Sequence, residues 1–367
     1  MTEQGLWSAA SYATVPPGVR LGRAAFTEGA GRPAWTTGGE AFPVVVPDRL
    51  VGSSAGDVRG AIERLSSVDG RIELQNADGL AGEVLLPDTA ALGVVLSGDD
   101  PGAIVAAVEA YNDWAAAFAL QHPDRFVGVG QIPPTGLDDA LAALRKCQAA
   151  GLRVVALAQP PAGPGTAPGG DADEFWQLAG DGTVVCLGPN FGAPPAPQPP
   201  PVVAAGQPPA LAGFLTRLAF AGVADLVPGL RVLVANVDAG WLPYALESAD
   251  TNYMRAAASR TVSLGDEHAL PSEYVRRFTW TTFHQDRFAV VRRHFFGEHH
   301  LVWTAGLPSY AGDWPDDEQQ AQRICEGLPD DARERLLSDN CRRLFGIDGR
   351  PPFTAQEIDH FDHPSFV

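Results

Sequence analysis

The sequence predicts a (β/α)8 TIM barrel in a single domain, because short apolar strands alternate with helices along the chain. Its clearest unit has a turn at Pro228-Gly229, a Val- and Leu-rich strand over 230–235, and a helix beginning at Trp241. Such a run is typical of a parallel strand that is covered on both faces. Seven further strands are predicted at 7–14, 82–86, 125–132, 152–157, 183–187, 278–283 and 301–305.

Helical patterns separate these strands. The longest begins at Pro101, where Asp99 or Asp100 can cap it, and ends before His122-Pro123. The predicted helices lie at 57–65, 101–121, 137–149, 173–179, 241–258 and 286–296, and two more cover 316–345. Because each strand is followed by a helix, the strands are expected to run parallel and to close into one barrel.

The remaining segments are predicted to be loops. An irregular insertion spans about 17–56, and the tail over 351–367 also reads as irregular. Two segments rich in Pro and Gly, 159–170 and 189–209, each start just after a strand and are interpreted as long βα loops with polyproline character. No linker separates two units, so the sequence predicts one domain over 1–367.

Charge and cysteine content exclude several classes of function. The net charge of −18 comes from 44 acidic and 26 basic residues, which argues against nucleic acid and anionic membranes as partners. The 4 cysteines form no CxxC pair, so a zinc ribbon or a redox motif is not indicated. With no signal peptide and no apolar stretch long enough to span a bilayer, the expected location is the cytoplasm, with reduced cysteines.

Six segments carry a resemblance to a known family. They are ADGLAGEVLLP (77–87), EAYNDWAAAF (109–118), HPDRFVGVGQIP (122–133), the unit over 222–244, LPSEYVRRF (270–278) and SDNCRRLFGI (338–347). In this order they resemble the amidohydrolase-2, decarboxylase-like group of the amidohydrolase superfamily, which includes aminocarboxymuconate-semialdehyde decarboxylase. The resemblance implies a TIM barrel with a divalent metal at the carboxyl ends of its strands.

The ligands that this resemblance implies do not occur at the matching positions. The family takes them from a paired motif after strand one, a His after strand five, a His or acidic residue after strand six, and an Asp after strand eight. Those positions carry Ala10 and Tyr12, then Leu187 or Gly188, then Asn236, and finally Gly306, while Val15 replaces a usual glutamate. The sequence therefore predicts no catalytic metal and no cofactor.

Polar residues near the strand ends are the remaining site candidates. His284 is the expected acid or base, because its pKa lies near neutrality and it directly follows strand seven. Tyr12 and Asp313 are the other catalytic candidates. The expected ligand-binding residues are Asn190, Asn236, Asp238, Ser309 and Tyr310.

Simpler structural roles compete with these assignments. Asn236 and Asp238 are expected first to cap the helix near Trp241. Tyr12 is expected to fill the space of the metal, with a partner for its hydroxyl if it is buried. A lone histidine such as His284 is usually structural. The other histidines and one cysteine are also expected to be structural or adventitious, namely His299 and His300 at the barrel bottom, Cys186 in a strand, and His360 and His363 in the tail.

Three functions are open at this point. The first is a non-catalytic or partner-supporting barrel that binds a small aromatic or carboxylated molecule. The alternative is a metal-independent enzyme, either a decarboxylase, a cyclase or a hydrolase, that uses residues at the barrel mouth. The third is an ordinary metal-dependent amidohydrolase. The expected assembly is a homodimer, or a heterodimer with an intact paralogue, with the Pro-rich segments as candidate contacts.

Overall fold

The computed structural model describes residues 5–27, 33–51, 57–161, 172–189, 191–192, 200–257, 264, 269–309, 312–354 and 357–358, without the side chains of 200–208 and 257. Within them lie eleven strands. The strands are β1 (Leu6–Tyr12), β2 (Ala25–Thr27), β3 (Ala34–Thr37), β4 (Glu40–Pro43), β5 (Leu80–Leu86), β6 (Phe126–Ile132), β7 (Val154–Leu157), β8 (Val184–Leu187), β9 (Arg231–Val234), β10 (Thr279–Phe283) and β11 (Leu301–Trp303).

Eight of these strands form the predicted barrel. They pair in parallel in the order β1-β5-β6-β7-β8-β9-β10-β11. The loop after β11 returns to β1, where Ala305 N donates to Ser8 Oγ at 3.0 Å and Tyr12 N donates to Leu307 O at 2.8 Å. These bonds bring the last strand of the sheet beside the first, so the (β/α)8 fold expected from the sequence is confirmed.

Helices surround the strands. The α-helices are Asp48–Val51, Val58–Ser66, Val68–Ala77, Thr89–Leu96, Pro101–Ala119, Leu137–Ala149, Asp173–Gly180, Pro200–Phe220, Val223–Leu226, Leu242–Ala257, Pro271–Phe278, Arg287–Val291, Asp317–Ile324, Asp330–Glu334 and Asn340–Phe345. A π-helical turn covers Arg335–Asp339, and 3-10 turns cover Arg293–Phe295, Glu298–His300 and Ile347–Gly349. Asp100 caps Pro101–Ala119 by accepting from Gly102 N at 3.0 Å, as one of the two expected residues should.

Alternating strand residues divide the core into two layers. One set fills the barrel, including Trp7, Val84, Val129, Leu233 and Trp280, and the C-terminal helix adds Cys341 and Leu344 to it. The intervening residues, such as Val155, Val185, Val232 and Phe283, pack against the helices. Since interior and exterior positions are both apolar, the strands read as continuous hydrophobic runs.

Two segments differ from the sequence-based expectation. The insertion predicted to be irregular contains a three-stranded antiparallel sheet, β2-β3-β4. Its strands have only 3 or 4 residues, which is too short for alternation to be recognised, and Phe26 and Trp35 pack edge to face across two of them. The second Pro-rich segment was expected to be a loop as far as 209, but the helix Pro200–Phe220 already begins within it.

Four further helices were not anticipated, namely Asp48–Val51, Val68–Ala77, Thr89–Leu96 and Pro271–Phe278. Val68–Ala77 begins with Ser67 as its N-cap, and Thr89–Leu96 begins with Asp88, which accepts from Ala90 N and Ala91 N. Most of the first Pro-rich loop and much of the second, 162–171 and 193–199, lie outside the described residues. Within the described part of the chain, none of the helices has the length and apolar character needed to cross a membrane.

Candidate functional site

Tyr12 ends β1 at the barrel mouth. Its backbone N–H donates to Leu307 O at 2.8 Å, which fixes it beside the loop after β11. Burial raises the pKa of Tyr12 to about 12, and a side-chain hydrogen bond with Asn236 opposes that shift in part. The phenol is therefore neutral at pH 7, and its hydroxyl has the polar partner that the sequence analysis required of it.

Asn236 follows β9 and connects three strand ends. Its side-chain Nδ2 donates to Ala10 O at 2.9 Å, and its backbone N donates to Thr282 Oγ1 at 2.8 Å. Its φ of 58° lies in the left-handed region, which Asn tolerates better than most residues. Asn236 therefore joins β9 to β1 and β10, which differs from the helix cap expected of it.

Asp238 also uses its side chain away from the following helix. Its Oδ1 accepts from His284 N at 3.3 Å, and its backbone carbonyl accepts from Trp241 Nε1 at 3.1 Å. The carboxylate that does receive backbone N–H groups before this helix belongs to Asp286, which accepts from Ala239 N at 2.9 Å and Gly240 N at 2.6 Å. Asp238 thus holds the backbone of His284, and the sequence analysis missed Asp286.

A small cavity lies beside Tyr12 at the ends of the first five barrel strands. Its volume is about 40 Å³, far below the roughly 300–1,000 Å³ of a pocket for a drug-sized ligand. Its lining is mostly apolar and consists of Tyr12, Leu86, Pro87, Thr89, Leu92, Gln131, Ala156, Leu157, Ala158, Gly188, Pro189 and Phe191. As far as the described residues line it, this cavity therefore has room for only a very small molecule.

A second polar group, the His284 cluster, consists of His284, Asp313 and Asp317. His284 Nε2 lies 3.3 Å from Asp313 Oδ2 and 3.6 Å from Asp317 Oδ1. The side chains are 15%, 16% and 0% exposed, respectively. Imidazole and carboxylate atoms of all three residues lie within 4.8 Å of one another. The cluster therefore brings together two of the predicted catalytic residues and adds Asp317.

The loop after β11 positions the carboxylates of this cluster. Asp317 Oδ1 accepts from Asp313 N at 3.3 Å, and Trp314 Nε1 donates to Leu74 O at 3.2 Å. Gln285 Nε2 donates to Asp313 Oδ2. These contacts hold the chain from 313 to 317 against the helix Val68–Ala77 and against the residue after His284.

Asp78 extends the cluster to the start of β5. Its Oδ1 accepts from Asp317 N at 2.8 Å. Burial is the main cause that raises the pKa of Asp78, and the neighbouring carboxyl of Asp317 raises it further through a hydrogen bond and its charge. Burial and the adjacent carboxyl therefore both favour the protonated form of Asp78. Neither Asp78 nor Asp317 was singled out in the sequence, because the two residues are 239 positions apart and meet only in the folded chain.

The other predicted residues do not join these two groups within the described residues. Ser309 is half-buried in the loop after β11, and its carbonyl accepts from Gly312 N at 3.1 Å. Asn190 and Tyr310 lie outside the described residues. Neither His284 nor Asp313 lines the cavity beside Tyr12. The expected single site is thus seen as two separate groups.

Histidines at the opposite end of the barrel have the structural surroundings expected of them. His300 is buried, and its Nδ1 lies 2.8 Å from Thr279 O. Burial lowers the pKa of His300 to about 4, so the ring is neutral at pH 7. Burial likewise lowers the pKa of His299. Cys186 is fully buried inside β8, where the sequence predicted an apolar role for it.

Structural comparison gives neighbours with the same fold. An amidohydrolase from Mycobacterium avium subsp. paratuberculosis has a TM-score of 0.72 and 13% identity, covering 94% of this chain and 100% of that one. A 2,6-dihydroxybenzoate decarboxylase from Rhizobium has a TM-score of 0.63 and 18% identity over 94% and 100% of the two chains. A dihydroxybenzoic acid decarboxylase from a Polaromonas species, solved with bound manganese, has a TM-score of 0.62 and 15% identity over 82% and 94%.

Sequence comparison assigns the family. No curated protein sequence matches the chain. The family model Amidohydro_2, described as amidohydrolase, matches residues 75–347, which include the barrel strands from β5 to β11 and the C-terminal helix. This match covers well over half of the chain, and the structural neighbours share its (β/α)8 barrel. The chain therefore belongs to the Amidohydro_2 family of the amidohydrolase superfamily.

Proposed function

We propose that this chain is an Amidohydro_2 barrel without the family's metal centre at the barrel mouth, and that it serves as a partner-supporting subunit. The supporting observation is the arrangement of Tyr12 and Asn236. Tyr12 stands at one expected ligand position, and the amide of Asn236, at another, is bound to the carbonyl of Ala10. A hydrogen-bonded pair of neutral side chains therefore spans two strand ends at which the family takes metal ligands.

The donors at these strand ends do not fit a catalytic divalent ion. Zinc sites take imidazole, thiolate and carboxylate ligands that converge on one point. A phenol whose pKa is raised to about 12 does not supply an anionic oxygen at pH 7. Ala10 is completely buried and has no ligand atom in its side chain, and Gly306 has no side chain. One amide oxygen would remain, which is too weak a ligand set for a catalytic ion.

The proposed partner is a second copy of this chain or an intact paralogue. We place the ligand in the small cavity beside Tyr12. The size of this cavity, as the described residues line it, favours a molecule or group smaller than a substituted benzoate. An aromatic or carboxylated ligand would have to use residues beyond this cavity as well.

A metal-independent enzyme that uses His284 is the second candidate. The observation in its favour is the 3.3 Å approach of His284 Nε2 to Asp313, since a carboxylate can orient an imidazole for proton transfer. It ranks second because neither residue lines the cavity beside Tyr12. If it is right, His284→Ala should lower turnover by roughly 100- to 10,000-fold.

Elemental analysis for zinc and manganese tests the proposed absence of a metal ion at Tyr12 and Asn236. The protein is purified without a histidine tag after expression with both metals, and the wild type is compared with a Tyr12→Phe/Asn236→Ala double variant. We expect the two proteins to hold the same amount of metal. Metal that is present in the wild type and absent from the double variant would show that the barrel mouth is a metal site after all.

Light scattering tests the proposed assembly. At micromolar concentrations we expect a dimer, either of this chain alone or after mixing with a co-encoded homologue that keeps the family's ligands. A monomer under both conditions would contradict the partner-supporting role.

A further inference from the structure

We propose that the His284 cluster binds one first-row divalent cation, at a place distinct from the family's ligand positions. His284 follows β10, Asp313 lies in the loop after β11, and Asp317 opens the helix Asp317–Ile324. The expected family positions on this side of the barrel are Asn236 and Gly306 instead. The site thus goes beyond the proposed function, which concerns only the family's ligand positions.

The distances within the cluster suit a common ion. Ligands at roughly 2.0–2.2 Å from zinc stand roughly 3.0–3.5 Å from one another in regular coordination. His284 Nε2 lies 3.3 Å from Asp313 Oδ2 and 3.6 Å from Asp317 Oδ1, and the three ligand atoms all lie within 4.8 Å of one another. Small shifts of the side chains would therefore be enough to bring the three ligand atoms to one ion.

A buried atom without a hydrogen bond provides an independent reason for a ligand. His284 Nε2 is buried and makes no hydrogen bond within the described residues, although it lies 3.3 Å from Asp313 Oδ2 and 3.6 Å from Asp317 Oδ1. Asp317 is 0% exposed, and its carboxylate faces His284 through Oδ1 and also contacts the carboxyl of Asp78. Buried polar atoms are nearly always satisfied, so an imidazole nitrogen without a hydrogen bond beside two carboxylates indicates a place for a further ligand.

The charge around the cluster also favours a cation. Among the described residues, no Lys or Arg side chain forms an ion pair with Asp313 or Asp317, and both carboxylates lie beside His284. Arg49 contacts the backbone carbonyl of Asp313 at 3.1 Å and the carboxylate of Asp316 at 3.5 Å instead. Buried carboxylates normally have a positive partner or a metal, and among the described residues His284 is the only basic side chain that forms an ion-pair contact with this pair.

The ligand types narrow the choice of ion. One imidazole nitrogen and two carboxylate oxygens suit Zn2+ or Mn2+, whereas Ca2+ and Mg2+ prefer oxygen ligands alone. An ion here would join the residue after β10 to the loop after β11. Because that loop also carries Leu307, which bonds to Tyr12 N, a bound ion would stabilise the closure of the barrel.

Equilibrium dialysis against Zn2+ and Mn2+ tests the site. The full chain carries His360→Ala and His363→Ala, which remove a pair of tail histidines, and it is first stripped with chelator. We expect one equivalent of ion to bind and the thermal unfolding temperature to rise. Asp317→Asn and His284→Gln should each weaken binding by about tenfold or more and should remove the thermal shift. Asp316→Asn, an adjacent and half-exposed carboxylate, is the matched control and should bind as the parent does.

Three outcomes would overturn the proposal. The first is no stoichiometric binding in the parent protein, which would show that the cluster is satisfied by protons and would leave the proposed function intact. The second is equal binding in Asp317→Asn, His284→Gln and the parent. The third is loss of binding only in Tyr12→Phe/Asn236→Ala, which would contradict the proposed function as well.

A folding defect must be separated from ligand loss. Circular dichroism of each metal-free variant provides this control, and Asp313→Asn provides a second variant at a partly exposed position. If Asp317→Asn is unfolded, a folded Asp313→Asn that binds Zn2+ as tightly as the parent still overturns the proposal.

Discussion

The barrel mouth and the His284 cluster contain similar kinds of polar atoms in opposite states of satisfaction. At the mouth, Asn236 donates to Ala10 O and contacts the hydroxyl of Tyr12. In the cluster, His284 Nε2 has no hydrogen-bond partner among the described residues, although two carboxylates lie within 3.6 Å of it. The difference teaches that a satisfied polar group near strand ends holds the fold together, whereas an unsatisfied one indicates a place for a ligand.

The largest expected effect comes from a buried ion pair that also holds the loop after β11. Arg71 donates to both carboxylate oxygens of Glu83 at 2.7 and 2.8 Å, and also to Leu307 O at 3.0 Å. Burial alone would raise the pKa of Glu83, but the charge of Arg71 and the hydrogen bonds from it outweigh this and lower it. Glu83→Ala leaves a buried, unpaired guanidinium, so we expect a loss of about 3–5 kcal/mol in the free energy of unfolding.

Chemical denaturation measures this loss. The matched control is Glu109→Ala, which breaks the exposed pair between Glu109 and Lys146 and should cost less than about 1 kcal/mol. Equal effects of the two substitutions would show that the Arg71 pair does not support the closure of the barrel.

A pH experiment tests the role of the buried His300. Its pKa is lowered to about 4 in the folded protein, below the usual 6.5 that it has when unfolded. The unfolded chain therefore binds the extra proton between these values, so stability is fully present above pH 6.5 and is lost as the pH falls towards 4. The expected loss is about 3 kcal/mol at pH 4.

Unfolding of the His300→Gln variant checks this prediction. In this variant, the free energy of unfolding should fall by about 3 kcal/mol less between pH 6.5 and pH 4 than in the wild type. His294→Gln, at an exposed position, should show the same fall as the wild type. A slope that persists unchanged in His300→Gln would assign the acid sensitivity to another group.

Replacing Asn236 separates its two roles at the mouth. Asn236→Ala leaves Ala10 O without its donor and puts Ala, which tolerates the left-handed region less well than Asn, at a φ of 58°, so we expect a loss of about 2–3 kcal/mol in the free energy of unfolding. Asn236→Gly removes the same hydrogen bonds but tolerates that φ, so it should be more stable than the alanine variant by about 1 kcal/mol. Thermal or chemical unfolding of both variants measures the difference, and equal stabilities would show that the backbone there relaxes.

The smallest effect is expected for Tyr12→Phe. This change removes one hydroxyl whose partner is Asn236, and the amide of Asn236 keeps its bond to Ala10 O. We expect a loss of about 1 kcal/mol in the free energy of unfolding. If the variant instead lost several kcal/mol, the phenol would have a role beyond this hydrogen bond.

Local patterns were enough to predict the barrel. Continuous apolar runs such as 230–235 placed all eight of its strands within a few residues, because strands buried on both faces contain little else. The positions of Tyr12, Asn236 and His284 at strand ends were also predicted, since residues after parallel strands share one face of the barrel. The strands β2 to β4 were missed because segments of 3 or 4 residues show no clear period.

The composition of the His284 cluster was harder to predict. Asp317 and Asp78 are 239 positions apart in the sequence, and they meet only because the chain after β11 packs against the helix Val68–Ala77. An aspartate at a helix start reads as a cap, so its burial against another carboxyl has no local signature. The same limit applies to Asp286, whose contacts with Ala239 N and Gly240 N depend on two loops meeting.

The carbonyl of Leu307 has a consequence for the order in which the protein is made. It accepts from Tyr12 N at 2.8 Å and from Arg71 Nη2 at 3.0 Å, residues that leave the ribosome long before Leu307 does. Until then, the first strand lacks its second neighbour and the Arg71 side chain lacks one acceptor. Contacts of such long sequence separation form slowly, because a large loop must first close. Nascent chains that end before Leu307 should therefore expose the edge of β1 and depend most on chaperones.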